Sequence, residues 1–147
     1  KLEIISNLDR NRVFTRGRNR LELSLNDQLP ISLELNTGAL SGNLDLSALN
    51  MKNLLIKTGA SSYNITLGDK SNMTGELNIG ASSINLKVPS SVGLKFISQS
   101  GLTSNNFTSQ GLSKSGEEYT SENYVSAERK IDLTFKAGAS SITLDRF

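Results

Sequence analysis

The sequence has no cysteine, no histidine and no tryptophan. Without cysteine there is no disulfide framework, thiol nucleophile or thiolate metal site. Without histidine, the commonest general base and the commonest transition-metal ligand are both missing. Two prolines and an aromatic content of 5% leave few rigid breaks and few large rings. No apolar run approaches the roughly 18 residues that a membrane span needs. A net charge of +2 is too small to call for nucleic acid or an anionic membrane as partner. At 147 residues the chain is read as one domain, residues 1–147. It starts at Lys1 with no signal-peptide pattern, so the expectation is a piece of a longer protein whose targeting or membrane segment lies outside this sequence.

What the chain does have is a repeat. Gly59-Ala60-Ser61-Ser62 returns at Gly80-Ala81-Ser82-Ser83 and Gly138-Ala139-Ser140-Ser141, with weaker copies at Gly38-Ala39-Leu40-Ser41 and Gly101-Leu102-Thr103-Ser104. Gly38, Gly59, Gly80 and Gly101 are evenly spaced, and one further step back reaches Gly17. A fixed period in this range signals stacked repeats. Counted from the Gly of a repeat, positions +4, +6 and +8 read Leu21, Leu23, Leu25; Gly42, Leu44, Leu46; Tyr63, Ile65, Leu67; Ile84, Leu86, Val88; and Ile142, Leu144, Arg146, an inward row apolar but for Gly42 and Arg146. Positions −5 and −3 alternate in the same way, as Leu54 and Ile56 or Leu133 and Phe135. Period-two alternation on both sides of a glycine corner predicts two strands per turn. The fold class that follows is all-β: a single-domain, parallel β-helix-like solenoid of about six turns at roughly 21 residues each. An antiparallel sandwich is the competitor.

Laid in register, equivalent residues form columns. Ser41, Ser62, Ser83, Ser104 and Ser141 make one, and Asn43, Asn64, Asn85 and Asn106 another. Hydroxyl and amide side chains stacked in this way are expected to pass hydrogen bonds from turn to turn. The Gly column implies a positive φ or close backbone approach at the corner.

The repeat fails in two places. Residues 1–28, read as a basic N-terminal capping turn, carry Arg10, Arg12, Arg16, Arg18 and Arg20. Residues 111–128 form an inserted acidic loop with Glu117, Glu118, Glu122 and Glu128 against Lys114, together with Tyr119 and Tyr124. Polar caps protect solenoid ends, and insertions into repeats form loops where binding residues gather. The candidate contact residues are therefore these arginines and Glu117, Glu118, Tyr119, Glu122 and Tyr124. The insertion has a second reading, a loop that folds over a sheet edge and covers it with its tyrosines. If turns follow sequence order, the two charged segments lie at opposite ends and suit head-to-tail self-association.

Catalytic constellations are missing. Asp45, Asp69, Glu76 and Asp132 fall in different columns, with no Asp-x-Asp pair. Phosphate loops, metal-ligand spacings and nucleophile elbows do not occur. No catalytic residue, metal ligand or cofactor is assigned.

Gly-Ala-Ser-Ser-x-Asn-(Ile/Leu)-x-(Leu/Val) at 59–67 and 80–88 is followed by Pro89-Ser90-Ser91-Val92-Gly93 and the closing Ala137-Gly138-Ala139-Ser140-Ser141-Ile142. Over roughly residues 29–147 this resembles the toastrack β-solenoid domains of bacteria, including the C-terminal domain of LiaF-type cell-wall-active antibiotic response proteins and related adhesin domains. Tyr119–Tyr124 before Ala127 is similar to the pre-terminal segment of clostridial-type members. The resemblance implies a non-enzymatic domain of the bacterial cell envelope. It would be membrane-anchored through a segment outside this chain, with the extracytoplasmic side favoured. Such a domain would act by protein–protein contact in envelope-stress sensing or assembly. A surface adhesin or cell-wall glycan-binding module is the alternative, and a β-helix polysaccharide-active enzyme the remote one.

Overall fold

The glycine corners bend strands without ending them. In the computed structural model, which describes residues 25, 27–100 and 103–147, the first three coils are single long strands. These are β1 (Ile31–Asp45), β2 (Met51–Thr66) and β3 (Met73–Val88), each running through its Gly-Ala corner. Gly101 and the five arginines of the basic segment lie outside the described residues.

Coils stack in parallel register. Leu35, Ile56 and Leu77 align, as do Leu44, Ile65 and Leu86. In the second coil Leu54, Ile56 and Thr58 point inward, then Tyr63, Ile65 and Leu67 do, while Gly59 and Ala60 between them are exposed. The Gly-Ala pair shifts the alternation by one residue, so both halves of a bent strand present apolar side chains to the same interior. Burying these rows supplies the main stabilisation, at about 25 cal/mol per Å² of apolar surface.

The column of corner glycines arises from close approach. A side-chain carbon on Gly59 would stand 2.7 Å from the carbonyl oxygen of Gly38, and one on Gly80 2.4 Å from that of Gly59. Positive φ is found elsewhere, at Gly111 and Gly116.

Stacking does not follow sequence order. The fourth coil, β4 (Gly93–Ser100) with β5 (Thr103–Asn105), is not laid on β3. The C-terminal coil, β8 (Lys130–Ala137) with β9 (Ser140–Arg146), occupies that place. It pairs with β3 through Leu77↔Phe135 and Ile84↔Ile142, and with the fourth coil through Phe96↔Leu133 and Asn105↔Ile142. Gly138-Ala139 continues the small-residue column beside Gly80, and the fourth coil sets Phe96 and Phe107 against Phe135 of the last coil and Phe107 against Tyr119 beyond it. Five coils are thus described, in the order first, second, third, last, fourth.

Two of the predicted columns behave differently from their expectation. Asn64 Nδ2 donates to Asn43 Oδ1 at 2.7 Å and Asn85 Nδ2 to Asn64 Oδ1 at 2.8 Å, a true amide ladder. Asn106 does not extend it. Its amide donates to the Leu144 carbonyl at 2.9 Å and accepts from the Leu144 N–H at 2.7 Å. The side chain takes the part of a peptide group beside β9, just where β5 has ended. The serines Ser41, Ser62, Ser83, Ser104 and Ser141 are solvent-exposed. Hydroxyl bonding at the corner belongs to the serines one position earlier: Ser61 with Thr58, and Ser140 Oγ to the Gly80 carbonyl at 2.9 Å.

Beyond β4 the sheet continues through β7 (Glu118–Ser121) and β6 (Leu112–Ser115), both antiparallel to their neighbours. A 3-10 turn, Thr108–Gln110, leads into β6. The β6–β7 hairpin turns on Gly116, whose φ of +61° suits the first central position of a two-residue type II′ turn.

Candidate contact surface

The hairpin forms the end of the stack opposite β1. Its inner side is sealed by rings. Phe96 meets Phe107 edge-on at 5.0 Å and Phe135 at 5.4 Å, and Phe107 meets Tyr119 at 5.1 Å. Edge-to-face contacts of this kind add about 0.5–1.5 kcal/mol each beyond the area buried. Tyr119 is buried, and its hydroxyl accepts from Asn105 Nδ2 at 3.4 Å. Expected from the sequence as a contact residue, it is a core residue, because strand alternation in β7 points position 119 inward opposite Phe96. The insertion covers an edge with this tyrosine.

The remaining predicted residues divide by exposure. Glu117 and Glu122 are open to solvent. Glu118 is half-buried and accepts from Thr120 Oγ1 at 3.0 Å, with Lys95 Nζ 3.8 Å away. Tyr124 is half-buried; its hydroxyl donates to Asp132 Oδ1 at 2.9 Å. Lys95 and Lys130 lie over its ring at 4.9 and 5.7 Å. Loss of solvent, the hydrogen bond to Asp132 and the charges of Asp132 and Glu118 push the Tyr124 phenol up to about 12. Glu118 and Tyr124 are therefore brought together through Lys95, into one mixed-charge patch with Asp132 and Lys130.

Residues not singled out in the sequence build the loop between β7 and β8. Asn123 Nδ2 reaches the carbonyls of Ser90, Ser91 and Val92 at 3.1, 3.4 and 3.3 Å. Arg146 donates to the Ser90 and Val92 carbonyls, each at 2.8 Å, and its burial lowers its pKa. The signal that could have found Arg146 is its place eight residues after Gly138, where the first three described coils carry Leu46, Leu67 and Val88. At the loop's apex Val125 is 88% exposed, flanked by exposed Glu122 and Glu128.

On the outer side of the long strands, Lys57 pairs with Glu34 at 3.7 Å and Lys136 with Glu76 at 2.9 Å. The hydrogen bond from Lys136, with a second from Asn78, holds the Glu76 carboxyl below its ordinary value. Exposed pairs of this kind contribute about 0–1 kcal/mol.

Among the described residues no three of Asp, Glu, His or Cys group to hold a metal ion. A cavity bordered by Leu49, Met51, Leu67, Gly68, Ser71, Met73 and Ile131 measures about 10 Å³, room for one water at most. No helix of the described residues is long and apolar enough to cross a membrane.

Residues 1–87 match the family described as "N-terminal domain of toast_rack, DUF2154". The chain belongs to this toast-rack family. The match takes in residues 1–28, which lie outside the roughly 29–147 over which the toastrack resemblance runs. A solved structure with a similar fold is that of a "putative cell adhesion protein" from Clostridium sporogenes ATCC 15579. The two superpose with a TM-score of 0.74 at 23% identity, over 84% of this chain and 58% of that one. This toast-rack chain accordingly spans less than two thirds of its neighbour's length. No protein of curated function matches it.

Proposed function

We propose that this toast-rack domain is a non-catalytic module of the bacterial cell envelope, held at the membrane, which works by protein–protein contact through its hairpin end. The observation that carries the reading is the loop between β7 and β8. Asn123, Arg146 and Tyr124 fix it from below, so Val125 and the carboxylates of Glu122 and Glu128 are presented on a rigid base. Exposed groups that are already ordered bind with less entropy lost than mobile ones. Envelope-stress sensing or assembly is the role that this ordered, exposed surface supports. The partner is expected to offer an apolar site with a basic rim.

Replacing Glu122, Val125 and Glu128 together by serine tests this in cells challenged with a cell-wall-active antibiotic. The variant should fold as the parent does and lose the domain's contribution to the response. An unchanged response would refute contact through this end.

A second reading is adhesion, favoured by the character of the Clostridium sporogenes neighbour and by the flat Asn43–Asn64–Asn85 ladder, which could meet a cell-wall glycan. Cells displaying the domain would then adhere or retain peptidoglycan, and Asn64→Leu would abolish retention while leaving the stress response intact.

A further inference from the structure

The coil made last is not the last in the stack. β8 and β9 pair along both edges: with β3 through 73–79 against 131–137 and 83–88 against 141–146, and with the fourth coil through 93–100 against 130–137 and 103–105 against 140–142. Inward-facing Ile131, Leu133, Phe135, Ile142 and Leu144 are all buried between those neighbours. Until this coil enters, the third and fourth coils face each other across a one-coil slot. The slot has two unpaired strand edges and an apolar floor.

The connection to that coil is also distinctive. Residues 122–129 belong to no strand. The connection is ordered by its own turns, Tyr124 N–H to the Ser121 carbonyl at 3.0 Å and Ala127 N–H to the Asn123 carbonyl at 2.8 Å, and docks by Asn123 on the Ser90–Val92 carbonyls, by Tyr124 on Asp132 and by its backbone against Gly93. None of the ladder pairs of β8 or β9 depends on the path this connection takes. Exchange of an identical element between copies is a low-cost route to dimers, and a coil inserted between two others and joined by a non-strand connection is an element of that kind.

We infer that the slot between β3 and β4 accepts β8–β9 from a second copy of this chain, giving a reciprocally exchanged dimer in which each body is completed by its partner's last coil. Monomer and dimer share every ladder pair and differ in the route of residues 122–129 and in the entropy of association. The exchanged form is therefore favoured where copies are concentrated while folding. Once formed it persists, because release requires opening both ladders. The exchange reroutes residues 122–129, the loop whose apex is invoked for partner contact, but the two are tested separately: the crosslink reports exchange alone, and the Glu122, Val125 and Glu128 replacement reports contact alone.

The absence of cysteine makes the test clean. Ser83 and Ser141 are exposed neighbours across the β3–β9 ladder, whereas Ser41 pairs with Ser62 and is remote from the slot. Single variants Ser83→Cys and Ser141→Cys are unfolded together, refolded at high concentration and oxidised; Ser41→Cys with Ser141→Cys serves as the comparison. The double variant Ser83→Cys/Ser141→Cys in one chain closes the bridge internally in dilute solution and shows the pair to be reachable. Exchange predicts a covalent species joining one copy of each variant at least tenfold more abundantly from the 83/141 mixture than from the 41/141 mixture. Equal yields would overturn the proposal. So would sedimentation showing the unmodified chain wholly monomeric after refolding at the same concentration. Tyr124→Phe, which loosens the tether, should raise the exchanged fraction.

Discussion

Gly138 lies against Gly80: a side-chain carbon at 138 would stand 3.0 Å from the Gly80 carbonyl oxygen. This contact joins the end of the chain to its middle. It also shows what a corner glycine is for, since the space it leaves is filled by the neighbouring coil's backbone.

Substitution at the corners should therefore depend on what lies alongside. Gly80→Ala drives a carbon to 2.4 Å from the Gly59 carbonyl oxygen, a clash with backbone that no rotamer relieves. A loss of about 1–3 kcal/mol is expected, in the range of overpacked sites. Gly38→Ala meets nothing within 4 Å among the described residues and should be neutral or stabilise by about 0.4–1 kcal/mol through the unfolded chain. Thermal melts of the two variants check the contrast.

The same logic separates two asparagines of one sequence column. Asn106→Ala removes both bonds to the Leu144 peptide group and leaves that N–H and C=O without their partners. It should cost about 1–3 kcal/mol, the penalty for unmet polar groups of a buried strand. Asn85→Ala ends an exposed ladder and should cost no more than about 1 kcal/mol. Denaturant midpoints decide between this ranking and equal losses.

Tyr124 should ionise late. Its phenol, ordinarily near 10.0, is pushed up to about 12 in the folded chain. Because the folded state favours the neutral form, the stability tied to this group is complete below pH 10 and fades as pH rises towards 12. Ultraviolet difference titration of the parent against Tyr124→Phe isolates the group. A midpoint near 10 would show that the bond to Asp132 and the shielding by the loop are absent in solution.

Much of this was legible in the sequence, for a physical reason. Strands in register must repeat their inward side chains, so Leu54, Ile56, Ile65, Ile84 and Leu86 announced the coil and its period. Stacking order was not legible, because Gly138-Ala139-Ser140-Ser141 fits onto any corner of its kind and a repeat does not number its copies. The site was read less well. Glu117 and Glu122 are exposed, but Tyr119 is core, since the alternation of a four-residue strand is too short to read without its partner. Asn123 and Val125 carried no periodic signal at all. Their roles depend on the Ser90–Val92 carbonyls and Arg146, far away in sequence. The arginines at 10, 12, 16, 18 and 20 lie outside the described residues.

The order of the coils is the claim on which the account turns, and one pair of crosslinks tests it. Ser83 pairs with Ser141, and Ser141 with Ser104, so Ser83 and Ser104 are two coils apart. Adjacent strands stand about 4.8 Å apart and second neighbours about twice that; a disulfide spans at most about 7 Å between α-carbons. In dilute solution Ser83→Cys/Ser141→Cys should close an internal disulfide, seen by mass and by gel mobility, and Ser83→Cys/Ser104→Cys should not. Closure of the 83/104 pair in place of the 83/141 pair would mean that coils stack in sequence order, and would contradict the inserted C-terminal coil.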